Sequence, residues 1–192
     1  MPAKLFTAPT QEPVTLDEIK GQLSITDEIS DEVVIRRITE ARQWAEEHTQ
    51  RSFVTQVWDL YLDSWPTDDI INLPRGPVKS ITSVKYIDAN GAQQTIAGTD
   101  YKLSLSYQVA RLVPAYGKSW PSARVEIDSI VVRYTAGYGD SGVDTPGPIR
   151  EAIMLTVGHW IDHQPSIESG IRITRIPYAV EHLMQSYRVL AL

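Results

Sequence analysis

The sequence predicts an α+β fold, in which both ends of the chain form a helical core and an antiparallel β-rich subdomain is inserted between them. Apolar residues recur with the helical period of about 3.6 residues near both ends of the chain, and with the two-residue period of strands between them. Successive strands without intervening helices favour an antiparallel sheet or a small barrel. We therefore expect residues 1–52 and 148–192 to form the helical core and residues 53–147 to form the insertion.

Two helices are predicted before the insertion. Thr15-Leu-Asp-Glu18 has the pattern of a capping box, in which the two outer side chains bond to each other's backbone N–H groups, and it predicts a helix to about Leu23. Ser30 begins a second, longer helix that ends near Thr49. Its apolar positions share an arc of roughly 140°, so that face is expected to pack against a core. The residues of this arc are Val33, Val34, Ile38, Ala41, Trp44, Ala45 and His48.

The insertion is predicted from a series of short alternating segments. FVTQVWDLYLDSW, at 53–65, predicts its first strand, and Asp88-Ala-Asn-Gly91 is a hairpin-turn signal. The other predicted strands are IINL at 70–73, ITSVKYI at 81–87, DYKLSL at 100–105, ARLVP at 110–114 and DSIVVRYTA at 128–136.

Two further helices are predicted after the insertion. Pro148 suits the first turn of a helix, and Pro165 limits that helix to about His163. Pro177 begins the last helix, and the segment between the two is a loop or a short strand. Apolar stripes at both ends of the chain predict one shared core with two largely buried tryptophans. The expected core residues are Val34, Ile38, Trp44, Ile153 and Trp160.

Three glycines, Gly137, Gly139 and Gly142, match the dinucleotide-binding spacing G-x-G-x-x-G. That motif requires the helix to begin at the glycines, so that its N-terminus meets the pyrophosphate. Here the residues from Val143 to Pro148 separate the last glycine from the predicted helix. The segment is therefore predicted to be a strand-to-helix loop.

The tetrapeptide Gly139-Asp-Ser-Gly142 surrounds the nucleophile in trypsin-like proteases. A catalytic triad also needs a histidine and an aspartate oriented toward the serine. The order found in those proteases would place both upstream of Ser141, where the only histidine is His48. We expect His48 to be a packed structural residue, so no protease site is predicted.

His159-Trp-Ile-Asp162-His163 is similar to an inverted zinc motif, because two histidines four residues apart lie on one helix face. That motif needs a glutamate base, and Asp162 is one methylene shorter. It also needs a third ligand downstream, for which few residues remain. We expect structural histidines, no metal, no cofactor and no catalytic residues.

The composition excludes several other classes of function. The chain has no cysteine, which excludes disulfides and thiolate metal sites. Its apolar runs are shorter than the roughly 20 residues that span a bilayer, so no membrane role is expected. The formal charge is −6, and residues 1–52 carry ten acidic against six basic residues. Without a basic stripe, tight binding to the DNA backbone is not expected.

A set of longer segments resembles the head–tail connector family, the adaptors of long-tailed phages, prophages and gene transfer agents. The similarity covers most of the chain in order. The C-terminal segments are RLVPAYGKSWP at 111–121, VVRYTAGYGDSGVDTPGPIREAIMLTVGHW at 131–160 and PYAVEHLMQSYRV at 177–189. The earlier segments are EPVTLDEIKGQL, ITEARQWAEEHTQRSFVTQVWDLYLDSWP and INLPRGPVKSITSVKYIDANG.

This resemblance implies a structural protein of the particle neck, assembled in the bacterial host cytoplasm. Its copies would form a ring of about twelve beneath the portal protein, join the DNA-filled head to the tail, and leave a channel through which DNA passes without specific binding. The implied partners are the portal protein, a stopper or tail-completion protein, and further copies of the chain. A stopper or tail-completion protein of the same particle is one alternative, and a small metal-dependent hydrolase using His159, Asp162 and His163 is another.

The C-terminal stretch from about Ile167 is the predicted docking element for the portal. Alternating apolar and basic residues there suit addition to the edge of a partner's sheet or insertion into a groove. The residues expected to dock are Arg172, Ile173, Arg175 and Tyr187. In the alternative interpretation, the last helix completes the core of its own protomer.

Overall fold

The computed structural model describes residues 3–23, 29–162 and 178–190, which belong to two compact units. The β unit comprises Met1–Thr10 and Thr55–Gly137, and the helical unit comprises Gln11–Val54 and Tyr138–Leu192. The first ten residues thus cluster with the strands, whereas the sequence pattern had assigned them to the helical core. The fold is α+β, as predicted.

In the part of the β unit that the structure describes, eight strands form two antiparallel sheets. The larger sheet has the order β1-β2-β8-β4-β5, and the smaller has the order β3-β7-β6. The strands are β1 (Ala3–Thr7), β2 (Gln56–Leu62), β3 (Ile71–Leu73), β4 (Val78–Ile87), β5 (Gln93–Thr95), β6 (Tyr101–Ser104), β7 (Ala110–Pro114) and β8 (Ile130–Ala136). The six predicted strands are all present, β7 with the predicted ends and the other five with shifted ends, while β1 and β5 were not predicted.

The core of the β unit follows directly from the two-residue alternation of its strands. In β8, Ile130, Val132, Tyr134 and Ala136 are buried, and the residues between them are half-buried. The hydroxyl of Tyr134 donates a hydrogen bond of 2.8 Å to the backbone carbonyl of Pro74. Burial raises the pKa of the Tyr134 phenol well above its ordinary value. The buried hydroxyl is therefore neutral and donates its proton to the Pro74 carbonyl.

Strand β1 is attached to the larger sheet by a charged cluster as well as by its backbone. Lys4 lies opposite Asp59 in the register of β1 and β2. The guanidinium of Arg133 makes two bonds of 2.7 Å to the Asp59 carboxylate and lies 3.3 Å from the ring centroid of Phe6. Because this cluster needs residues from three strands, the strand character of residues 3–7 could not be inferred from that short segment alone.

The described residues of the helical unit form four helices around one core. Val34, Ile38 and Ile153 are buried in that core, whereas Trp44 and Trp160 are only half-buried at its edge. Both tryptophans pack against the same core as partly buried side chains, and the ring of Trp44 also stacks on that of His48 at 5.3 Å. The helices are α1 (Leu16–Leu23), α2 (Asp31–Thr49), α3 (Gly147–Asp162) and α4 (Tyr178–Gln185), with a 3-10 turn at Gly142–Asp144.

The last helix, α4, ends at Gln185 and contributes to the core of its own unit. Val180 and Met184 in α4 are fully buried. Tyr187 lies beyond the helix, packs against the same core, and accepts a hydrogen bond at its backbone carbonyl from Arg51. Leu190 is 72% exposed. Among the described residues, no helix is both long and apolar enough to cross a membrane.

The predicted capping box at the start of α1 is confirmed. The Thr15 N–H donates to the Glu18 carboxylate at 2.9 Å, and the Glu18 N–H donates to the Thr15 hydroxyl at 3.3 Å. Arg150 of α3 also bonds to Glu18. The backbone bond from Thr15 is the main cause that lowers the pKa of Glu18, and Arg150 lowers it further against the opposing effect of burial.

This depressed pKa gives a pH-dependent prediction. Because Glu18 is favoured as a carboxylate in the folded state, its contribution to stability is present above its ordinary pKa of 4.5 and is lost as the pH falls through the lower folded value. We expect Glu18→Gln to lower Tm at pH 7, and the difference from the parent to shrink steadily below about pH 4.5. Asp17→Asn is the matched control, because it removes an exposed carboxylate from the same helical turn. A deficit of Glu18→Gln that stays constant down to pH 3 contradicts the prediction.

Candidate interaction surfaces

The glycine-rich segment between β8 and α3 has a packing role. A Cβ atom at Gly142 would lie 2.3 Å from the backbone oxygen of Glu12. A Cβ atom at Gly139 would lie 2.0 Å from a carboxylate oxygen of Asp144. Real Cβ atoms do not approach other atoms this closely, so both positions need glycine. Gly139 and Gly142 of the G-x-G-x-x-G pattern are thus explained by close packing against Asp144 and Glu12, respectively.

Ser141 lies in the same turn and stabilises its conformation. Its backbone N–H donates to the Asp144 carboxylate at 3.1 Å, and it precedes the 3-10 turn as its N-terminal cap. Asp144 is thereby fixed against Gly139. The residues of the protease-like tetrapeptide are thus parts of one tight connection between strand and helix.

The histidine motif is only partly described. His159 is half-buried in α3 and Asp162 is the exposed last residue of that helix, while His163 lies outside the described residues. Across residues 3–23, 29–162 and 178–190, no group of three or more histidine, aspartate or glutamate side chains is placed to hold a metal ion.

A buried ion cluster connects the start of the helical unit to α2. The guanidinium of Arg42 bonds to Glu12 at 2.7 Å and to Glu46 at 2.8 Å. Glu12 accepts a further bond of 2.9 Å from the Thr39 hydroxyl, and Glu46 accepts one of 3.0 Å from the Phe53 N–H. Burial opposes the charge of Arg42, but the two carboxylates outweigh it and raise the pKa of that group. The segment before α1 is therefore fixed to α2.

The fixed segment forms one wall of an open groove in the helical unit. The groove has a volume of about 440 Å³, and its rim includes Ile35, which is 48% exposed, and Val143, which is 69% exposed. Its backbone walls are fixed by Arg150, which donates to the Pro13 carbonyl at 2.9 Å. The charged residues that line it are Glu12, Glu18 and Arg150, and the apolar residues are Pro13, Val14, Leu16, Ile35, Ile38 and Val143.

The β unit carries a long loop between β7 and β8, residues 115–129, which we name the pinned loop. The indole rings of Trp65 and Trp120 are stacked, with 4.6 Å between their centroids and 5° between their planes. The Trp65 N–H donates to the carbonyl of Pro121 at 2.8 Å, and the Trp120 N–H donates to that of Asp69 at 3.1 Å. The middle of the loop is therefore held firmly.

The ends of the pinned loop are held by the backbone. The Ala115 N–H donates to the Asp100 carbonyl, and the Arg124 N–H donates to the Ile87 carbonyl, each at 2.9 Å. Despite these attachments, Val125 and Ile127 are 81% and 84% exposed. Two apolar side chains are therefore exposed on an ordered loop.

Sequence reasoning missed both the groove and the pinned loop. The alternation of apolar and charged residues in SARVEID, at 122–128, was a signal for the exposed pair at Val125 and Ile127. The groove is formed by residues far apart in the chain and has no such signal. Of the predicted docking residues, Arg172, Ile173 and Arg175 lie outside the described residues, and Tyr187 packs against its own core.

The two units differ in charge as well as in architecture. The helical unit contains sixteen Asp and Glu residues against nine Lys and Arg residues. The β unit contains eight against nine. The net acidity of the chain therefore belongs to the helical unit.

The chain belongs to the phage gp6-like head–tail connector protein family, whose model matches residues 13–115. Members of this family are structural phage proteins and not enzymes.

Comparison with solved structures extends the similarity of the fold to the whole chain. A chain in the neck of an empty GTA particle, computed with C6 symmetry, is 18% identical with a TM-score of 0.81. A chain in the virion of a native gene transfer agent (GTA) particle is 19% identical with a TM-score of 0.80. A chain in the neck of a native GTA particle, computed with C12 symmetry, is 20% identical with a TM-score of 0.78. Each comparison covers 100% of this chain and 97% of the other. A comparison with curated protein sequences finds no match.

Proposed function

We propose that the protein is the adaptor of a particle neck, forming a ring beneath the portal protein and joining the DNA-filled head to the tail. The observation that carries this proposal is the match to the head–tail connector family over residues 13–115. The similarity of fold to chains in GTA necks computed with C6 and C12 symmetry supports the ring and the location. The partners are the portal protein, a stopper or tail-completion protein, and further copies of the chain.

The charge of the protein supports a channel through which DNA passes freely. A wall that gripped phosphates would need clustered lysine and arginine side chains, and its affinity would depend steeply on salt. The helical unit instead has seven more acidic than basic residues. DNA near such a surface is repelled rather than held, which suits a conduit.

We further propose that the C-terminal stretch from about Ile167 contacts the portal. Arg172, Ile173 and Arg175 belong to this stretch, and their alternation of charge and apolar character suits strand addition or insertion into a groove. The buried positions of Val180 and Met184 assign one face of α4 to the protomer's own core. Docking by α4 is therefore limited to its outer face.

Electron microscopy and pull-down with purified portal protein test this function. The parent is expected to bind portal protein directly and to form rings on it, whereas a stopper would bind only after another adaptor was present. The double variant Arg172→Glu with Arg175→Glu is expected to weaken portal binding without lowering Tm. The matched control reverses two other basic residues, both exposed, with Arg36→Glu and Lys102→Glu.

Each of the two proposals, the adaptor function and the portal contact of the C-terminal stretch, has a result that contradicts it. Failure of the folded parent to bind portal protein at low salt rejects the adaptor assignment. Equal binding by the parent and the double variant removes Arg172 and Arg175 from the contact and leaves the adaptor assignment intact.

A further inference from the structure

We propose that the turn between β4 and β5 is a site of spontaneous deamidation, at which the side chain of Asn90 reacts with the backbone nitrogen of Gly91. The hydrogen bonds that Asp88 accepts in the same turn slow this reaction. The sequence pattern explains these residues only as a hairpin turn, and the adaptor function makes no use of them. The site does not depend on the adaptor function.

The reaction requires only groups of the chain itself and water. The Gly91 nitrogen loses its proton to water, attacks the side-chain carbonyl carbon of Asn90 and closes a cyclic succinimide, which is favoured because both groups belong to adjacent residues. The bond between that carbon and the side-chain nitrogen breaks, and ammonia leaves with a proton from water. Water then opens the ring at either carbonyl. The products are an aspartate and an isoaspartate, in which the main chain runs through the former side-chain carbon.

Two properties of the turn favour the reaction. Asn90 and Gly91 are both exposed, so water reaches the two reacting groups. Gly91 has no side chain to obstruct the approach to its nitrogen, and its backbone has a φ of 84°, a conformation that glycine adopts much more readily than other residues. The dipeptide that suits a tight hairpin turn is therefore also the one in which cyclisation is least hindered.

Hydrogen bonds of the turn oppose the reaction. The Gly91 N–H donates to the Asp88 carbonyl at 2.9 Å. The Asp88 carboxylate accepts bonds from the N–H groups of Asn90 at 2.9 Å and Ala92 at 3.0 Å. It also accepts a bond of 2.8 Å from the side-chain amide of Gln94, which is the main cause that lowers the pKa of Asp88. Because the Gly91 proton must leave before the nitrogen attacks, the turn has to open first, and these bonds keep it closed.

Deamidation changes both the charge and the backbone at one edge of the larger sheet. The new carboxylate lies in the same turn as that of Asp88, and an isoaspartate lengthens the main chain between Ile87 and Gln93, which are paired in the register of β4 and β5. Among the described strands, β5 pairs only with β4. We therefore expect weaker pairing of β5 in the isoaspartate form. Faster hydrogen exchange of the Ile96 N–H, which donates to a carbonyl of β4 at 2.9 Å, measures this effect.

Peptide mapping by mass spectrometry tests the site, because the chain has only two asparagines. The other, Asn72, lies in β3 beside the fully buried Leu73 and is an internal control. The folded parent is incubated in neutral buffer and digested with trypsin, and a sample taken at the start corrects for deamidation during digestion. We expect the peptide of residues 86–102 to contain both aspartate and isoaspartate at position 90, while Asn72 stays unchanged.

Asp88→Ala tests the effect of the turn. This variant is expected to raise the rate of deamidation at Asn90 at least about threefold, in line with the net contribution of a hydrogen bond that must break. Asp68→Ala is the matched control, because it removes an exposed aspartate that accepts a backbone bond in another turn of the β unit, and it should leave the rate unchanged. Circular dichroism confirms that both variants are folded. The parent unfolded in urea is also expected to react faster than the folded parent.

Three results overturn separate parts of this proposal. If Asn90 reacts no faster than Asn72 in the folded parent, the turn is not a deamidation site. If Asp88→Ala and the parent react at the same rate, the bonds of Asp88 do not restrain the reaction. Unchanged exchange at Ile96 in the isoaspartate form contradicts the weaker pairing of β5. Portal binding by freshly purified parent is measured separately, so each of these results leaves the adaptor function standing.

Discussion

Gly142→Ala is expected to destabilise the helical unit strongly. Apart from Gly139, no other described glycine of this unit should lose as much stability on replacement by alanine. The new Cβ would lie 2.3 Å from the backbone oxygen of Glu12 and 3.0 Å from two backbone atoms of Pro13. No flexible side chain can move aside, so the segment before α1 must shift and disturb the Arg42 cluster. We expect a loss of about 3 kcal/mol or more, at the upper end of overpacking effects. Urea denaturation followed by circular dichroism measures it.

Two other glycines of the same unit provide matched controls. A Cβ at Gly147 or at Gly21 meets no atom within 4 Å. Gly147→Ala is expected to be close to neutral, and Gly21→Ala is expected to be neutral or stabilising, because alanine is favoured over glycine by about 1 kcal/mol inside a helix. If Gly142→Ala unfolds at the same urea concentration as these controls, the close approach of the two backbone segments is wrong.

The predictable elements are those in which buried residues recur at the regular period of a helix or of a strand. Helix α2 was placed within one residue at its start, because its apolar arc and its Ser30 cap agree. Strand β8 was predicted because its alternate residues are buried. In contrast, β5 has three exposed polar residues and depends on β4 for pairing. Strand β1 is mostly exposed and depends on Arg133 and Asp59 from other strands.

The candidate surfaces were less predictable for a related reason. A motif such as G-x-G-x-x-G records spacing only, and the structure shows that Gly139 and Gly142 are required by contacts with Asp144 and Glu12. The groove depends on which segments meet in three dimensions. Trp44 and Trp160 lie on apolar faces, as their spacing indicates, but periodicity does not show that large rings lie at the edge of a core rather than at its centre.

Arg42→Met is expected to be the most destabilising substitution of a charged residue in α2. Removing the guanidinium leaves the carboxylates of Glu12 and Glu46 close together, with side chains only 27% and 10% exposed. Breaking a buried ion pair by removing one partner costs about 3–5 kcal/mol, because the remaining charge is left without compensation. We therefore expect a loss in this range, which thermal and urea denaturation at pH 7 will measure.

Arg37→Met is the control for the loss of a charged side chain from the same helix. Arg37 pairs with Glu40 at 2.7 Å, but the two side chains are 30% and 40% exposed. Such surface pairs contribute about 0–1 kcal/mol. The difference between the two variants should therefore isolate the effect of burial.

A further variant identifies the uncompensated carboxylates as the cause. Adding Glu12→Gln and Glu46→Gln to Arg42→Met should recover part of the lost stability, since the amides carry no charge and keep the shape of the side chains. If Arg42→Met is no more destabilising than Arg37→Met, or if the triple variant is less stable than Arg42→Met alone, the ion cluster does not fix the first segment of the helical unit to α2.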